Sequence, residues 1–185
     1  MTRYAGRRAL VAGEVTGIGL AIAKRLVEGG ATVLLTARDG EERAHAVAEL
    51  GSTAVVLAPA DLAAALAGGD APGFGGVDLL FADTVPAARP LLPYLKDGGA
   101  IVLTAPTRPS EAVPAFAAEL ASRGVRVNAV APGCIEAPGS GAVPLPPLGR
   151  LGAAEEVARA ALFLATEATF TTGARLPVDG GLGRP

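Results

Sequence analysis

The chain is poor in the side chains on which most enzyme chemistry relies. Its 185 residues include one cysteine, Cys134, one histidine, His45, two lysines, Lys24 and Lys96, two tyrosines, Tyr4 and Tyr94, and no tryptophan. A lone cysteine excludes an internal disulfide, and with a single histidine it leaves too few soft ligands for a zinc site. No apolar run approaches the roughly 18 to 20 residues that a membrane-spanning helix needs. The opening stretch from Met1 to Arg8 carries no apolar signal region and leads straight into a strand-like run, so a cytoplasmic location is expected and export is not. A net charge of -2, with no basic cluster interleaved with aromatics, supplies no electrostatic footprint for DNA or RNA. Neither nucleic acid nor a membrane is an expected partner; a small molecule or nucleotide is.

What the chain does contain is a regular alternation of short apolar runs with helix-like stretches. Strands are expected at Ala9–Ala12, Thr32–Thr36, Ala54–Leu57, Asp78–Ala82, Ala100–Thr104, Val125–Val130 and Ala174–Val178. Between them Ile18, Ile22 and Leu26 mark one helix face, stopped by Gly29-Gly30, and Val157, Ala161 and Leu164 mark another, with Glu155 and Glu156 in its first turn where the dipole favours negative charge. Strands apolar on both faces, alternating with helices, predict an α/β fold: a Rossmann-type doubly wound parallel sheet of seven strands, helices on both faces, in one domain over residues 1–185. The Gly/Pro-rich stretch from Pro138 to Gly149 is expected as a surface loop, and His45 as a surface helix residue.

The first strand runs into Ala12-Gly13-Glu14-Val15-Thr16-Gly17-Ile18-Gly19, which opens the first helix. Glycines in such a turn let the backbone approach a pyrophosphate at the helix N-terminus, whose unpaired N–H groups and dipole favour an anion. The spacing Gly-x-x-x-Gly-x-Gly resembles the pattern of the short-chain dehydrogenase/reductase family. Further segments carry the same resemblance: Ala37-Arg38, Asp61-Leu62, Arg126-Val127-Asn128-Ala129-Val130 with Pro132-Gly133, Pro147-Leu148-Gly149-Arg150, and Thr172-Gly173 followed by Val178-Asp179-Gly180-Gly181. The resemblance implies a nucleotide site formed by Gly13, Thr16, Gly17, Ile18, Gly19, Arg38, Asp61, Leu62, Ala82, Pro132, Gly133 and Ile135. At the end of the second strand Ala37 stands where an NAD-preferring member carries an acid, and Arg38 is placed to bond a 2'-phosphate, so NADP(H) is expected ahead of NAD(H). The alternative for Arg38 is a solvated arginine, and for Asp61 a helix cap. Glu14 puts a carboxylate in a phosphate loop, and Ala12 lacks the hydroxyl that braces this turn in the family.

The catalytic half of that resemblance is missing. The family pairs a tyrosine with a lysine four residues later, and here Leu20 and Leu92 stand four residues before the two lysines. The family's Asn-Asn-Ala-Gly reads Ala82-Asp83-Thr84-Val85, and its catalytic serine falls in Leu103-Thr104-Ala105-Pro106-Thr107, which has no serine. Without these groups the acid-base pair and the clamp on the nicotinamide ribose are both gone. The remaining candidates at the strand ends are Thr104, Glu136 and Asp83, joined by Thr84, Thr107 and Cys134, with Glu136 the leading acid-base candidate. Tyr94 is expected to pack and Lys96 to face solvent. The connection from Thr84 to the fifth strand is expected to be cut short, removing most of a helix. Three functions compete: an NADP-dependent oxidoreductase with an improvised site, a non-redox biosynthetic enzyme, and a non-catalytic binding or scaffold subunit. A homodimer through Ala153 to Asp179 is expected, because that segment looks intact.

Overall fold

The computed structural model describes residues 3–13, 17–68, 76–104, 112–136 and 144–183. Seven strands, β1 (Arg8–Ala12), β2 (Thr32–Thr36), β3 (Ala54–Leu57), β4 (Val77–Ala82), β5 (Leu95–Leu103), β6 (Arg126–Pro132) and β7 (Arg175–Val178), form one sheet in the order β3-β2-β1-β4-β5-β6-β7. Every neighbouring pair is parallel. The helices are α1 (Ile18–Glu28), α2 (Gly40–Leu50), α3 (Leu62–Gly68), α4 (Val85–Ala88), α5 (Ala112–Leu120) and α6 (Ala154–Thr166).

Alternating side chains divide the core between the two faces. Val33 and Leu35 join Ile22, Leu26, Phe81, Val157 and Leu162 on the face carrying α1, α2 and α6. Leu34 points the other way, into Leu10, Leu80, Ile101, Phe116 and Leu120 beneath α3, α4 and α5. Both faces of the central strands are therefore dry, as the unbroken apolar runs require.

Two strands depart from expectation. β5 begins five residues early, at Leu95, where the register against β4 shifts between Val77 and Leu79 and Gly98 takes a φ of +75°. That brings Lys96 onto Asp78, Nζ to Oδ1 at 2.9 Å, so Lys96 is an ion-pair partner and not merely a solvent-facing residue. Burial opposes the Asp78 charge, yet the Lys96 ammonium and the Arg8 N–H hold its carboxyl below the usual range. β6 also runs on to Pro132. The connection from β4 to β5 is short: the single turn of α4, then a 3-10 turn at Arg89–Tyr94, with Ala88 and Leu91 buried under the sheet. The Tyr94 hydroxyl donates to Ala63 O at 3.3 Å. His45 is an exposed residue of α2, as expected.

Polar bonds fix the C-terminal third. Asn128, fully buried in β6, donates to Thr171 O and accepts from Ala174 N–H, which ties down the approach to β7. Arg126 donates to the carbonyls of Leu164, Ala165 and Ala168, filling the acceptors that a helix end leaves open. At the other end of α6 the capping position is Ala153, with no oxygen to offer, and Glu156 reaches back to accept from its N–H at 2.9 Å while pairing with Arg150. The Arg150 guanidinium, then the Ala153 N–H, hold the Glu156 carboxyl down at about 2.

A carboxyl held low in the fold stabilises it while ionised, so this contribution is present above pH ~4.5 and disappears as the pH falls towards 2. Glu156→Gln should lower the melting temperature at pH 7, and the gap from wild type should close as thermal scans approach pH 2. A gap independent of pH would show that the carboxylate charge is not what matters.

Candidate nucleotide crevice

The sheet order reverses at β1, whose two neighbours are β2 and β4. The crevice outside the carboxyl ends of the strands at such a reversal is where open parallel sheets take their ligands. At the end of β1, Gly13 has a φ of +150°, and Gly17, φ +58°, stands directly before α1, so both backbone positions favour glycine. Ile18 and Gly19 form the first turn of that helix. Glu14, Val15 and Thr16 lie outside the described residues, and so do Thr107 and Ala137.

Gly13 also has no room for a side chain. A Cβ there would lie 2.6 Å from Asp83 Oδ2 and 2.7 Å from Oδ1. The Asp83 carboxylate, half-buried at the end of β4, accepts from the Thr104 hydroxyl at 3.1 Å, and the Thr104 N–H donates to Ala82 O at 2.9 Å. Asp83 and Thr104 are thus brought together under the glycine turn. The missing hydroxyl at Ala12 proves to be replaced from the next strand: the Gly13 N–H donates to Thr36 Oγ1 at 3.1 Å. Thr36 is buried at the end of β2, and its position beside the turn depends on strand register, which local sequence does not display.

Arg38 follows β2 and is held by Glu42 one helical turn on, its backbone N–H and Nε each 2.9 Å from the carboxylate. These bonds hold the Glu42 carboxyl below its usual range. Arg38 keeps 56% of its side chain exposed while Glu42 keeps 8%, so the carboxylate is buried behind a guanidinium that still reaches solvent. Arg38 lies just before the N-cap Asp39, so the entry of the chain into α2, and not a spacing along one helix face, brings the two together. Asp61 is exposed in the 3-10 turn Pro59–Asp61 that leads into the buried Leu62.

The end of β6 is more distant in the sheet order. The Gly133 N–H donates to Val178 O, and a Cβ on Gly133 would strike Asp179. Ile135 bridges to Gly152, and Glu136 is exposed, its N–H bonded to Gly152 O at 2.8 Å. Among the described residues Glu136 makes no hydrogen bond to Asp83 or Thr104, so the three catalytic candidates are not gathered in one hydrogen-bonded group. Cys134 is half-buried and lines a cleft of about 920 Å³ with Pro146, Arg150, Glu156, Val178 and Asp179. This large cleft belongs to the β6–β7 edge of the sheet and contains neither Gly13, Asp83 nor Arg38. The cleft also includes Pro132 and Gly133, two of the residues expected at the nucleotide site, and its Arg150 and Glu156 pair with each other.

Neither tyrosine and neither lysine faces the crevice. Tyr4 precedes β1 and packs its ring on Gly29, Tyr94 and Lys96 stand at the opposite end of β5, and Lys24 pairs with Glu49 between α1 and α2.

Sheet order, glycine turn and crevice together define a Rossmann-type α/β fold. The short chain dehydrogenase family pattern matches residues 7–81, and the enoyl-(acyl carrier protein) reductase pattern matches residues 110–183. L-fucose dehydrogenase of Bos taurus is 32% identical over 245 aligned positions, which take in 97% of this chain and 90% of that protein. A 3-oxoacyl-acyl-carrier-protein reductase of Thermotoga maritima is 48% identical over 77 residues, 36% of this chain and only 31% of that enzyme's length. Among solved structures, a 3-ketoacyl-(acyl-carrier-protein) reductase from Brucella melitensis complexed with NADH superposes with a TM-score of 0.78 at 26% identity, covering 96% of this chain and 98% of that one. A short chain oxidoreductase from Pseudomonas aeruginosa PAO1 containing an atypical catalytic center gives a TM-score of 0.80 at 26% identity, over 98% and 99%. The chain belongs to the short-chain dehydrogenase/reductase family, whose members bind NAD(P)(H).

If Thr36 braces the turn, Thr36→Val leaves the Gly13 N–H without its partner and should cost about 1 to 3 kcal/mol. Urea denaturation checks this, and a loss under about 0.5 kcal/mol would mean that the bond contributes little.

Proposed function

We propose that the chain is a degenerate member of its family that binds NADP(H) ahead of NAD(H) in the crevice at β1, β4 and β5, and acts by binding or by a weak non-redox reaction. Ordinary hydride transfer coupled to a Tyr-Lys pair is not its activity. One observation carries the reading: the glycine turn and its supports are kept, while both tyrosines and both lysines are committed at other places in the fold. The runner-up, an NADP-dependent oxidoreductase with an improvised site, draws support from the hydrogen-bonded Asp83 and Thr104, and from relatives named as dehydrogenases and reductases.

Arg38 supplies the cofactor preference. Its bonds to Glu42 fix the guanidinium and also share it, so the gain from a 2'-phosphate sits at the low end of a charge-assisted pair, about tenfold. Calorimetry should show NADPH binding about tenfold more tightly than NADH, with Arg38→Ala removing most of the difference. The same preparation should oxidise NADPH no faster with a panel of ketones and aldehydes than without, because acid-base catalysis worth roughly 100- to 10,000-fold is missing along with the ribose clamp. Brisk turnover unaffected by Thr104→Val and Glu136→Gln together would sink the binding reading.

The proposal extends to a homodimer through α6 and β7, in the cytoplasm. Phe163 on α6 is 47% exposed and Phe170 fully exposed, an unusual display for large aromatics. β7 is an edge strand containing Pro177, which has no N–H to offer a further strand, so side-chain packing on α6 is the better seam. Light scattering should give a dimer, converted to monomer by Phe163→Glu; a tetramer, or a dimer indifferent to that change, counts against it.

A further inference from the structure

The Asp83 carboxylate is a feature of the crevice that a phosphate-binding frame does not explain. It sits directly against the Cα of Gly13, close enough that all three carboxylate atoms lie within 2.8 Å of where a Cβ would be. It is held there, since the Thr104 hydroxyl donates to Oδ1, while Oδ2 accepts no hydrogen bond from the described residues. Among the described residues no basic side chain forms an ion pair with it. The Gly13 N–H is already spent on Thr36 Oγ1 and is not free to soften the charge for an incoming anion.

We infer that Asp83 is the specificity-determining residue of this crevice: it disfavours a phosphate beside Gly13 and favours an uncharged or cationic hydrogen-bond donor there, such as the hydroxyl or amine of a nucleoside. The inference rests on the crevice being a nucleotide site and names which part of a nucleotide that site tolerates least. An unpaired, half-buried carboxylate is only partly screened, and a phosphate a few ångströms away meets like-charge repulsion that changes affinity by about tenfold. A hydroxyl in the same place accepts no such penalty and gains a hydrogen bond to a charged acceptor.

Titration calorimetry with adenosine, ADP and NADP+ tests this on the wild type, on the isosteric Asp83→Asn and on the smaller neutral Asp83→Ser, each first checked for a cooperative thermal transition. The unmodified protein should bind adenosine at least as tightly as ADP. Both variants should bind ADP and NADP+ about tenfold more tightly than wild type while adenosine stays within about twofold. Adenosine and ADP moving together, or neither moving, overturns the inference and leaves the nucleotide reading standing. So does wild-type protein that binds ADP tenfold more tightly than adenosine, a result that needs no variant to fold. Failure of all three ligands to bind any form overturns the nucleotide reading, and the inference falls with it.

Discussion

A parallel sheet cannot be built by hairpins, so each strand must be reached by a crossover that covers one face or the other. Here the burial of both faces leaves no choice about where the helices go: α1, α2 and α6 close over Val33, Leu35 and Phe81, and α3 to α5 close over Leu10, Leu34 and Leu80. The reversal of strand order at β1 follows from changing faces, and it brings the ends of β1, β4 and β5 together. Everything proposed about ligands depends on that convergence, because Gly13, Asp83 and Thr104 come from three different strand ends.

The same constraint sets how short a connection between parallel strands can be. The bovine relative aligns with this chain of 185 residues over 245 positions. Between β4 and β5 only α4 and a 3-10 turn remain, near the minimum of about a dozen residues that a parallel crossover needs. Ala88 and Leu91 cover the sheet there, so the core is closed over a connection this short.

Electrostatics separate the turn from a simple phosphate cradle. Arg38 brings positive charge at the end of β2, buffered by the buried Glu42, while Asp83 brings an unpaired negative charge to the turn itself. Under the proposed function the two act on different parts of a bound nucleotide. A crevice with opposite preferences at two points is selective without being strong, which fits a binding role better than a high-throughput catalytic one.

The fold class, the number of strands and the position of the glycine turn were legible along the chain, because apolar runs, helix stops and glycine spacing are local signals that side-chain period and backbone freedom impose. The lack of a Tyr-Lys pair was likewise readable from a handful of residues. Contacts between separate strand ends were not. Thr36 replacing the hydroxyl absent from Ala12, Lys96 turning onto Asp78 across a bulge, and Asp83 closing on Gly13 all depend on register and strand order. A one-residue slip would send each side chain to the other face. The sequence by itself determined that a turn exists and that a carboxylate follows β4; only the tertiary structure decided that the two touch, because residues so far apart in the chain meet only once the sheet has set their distance.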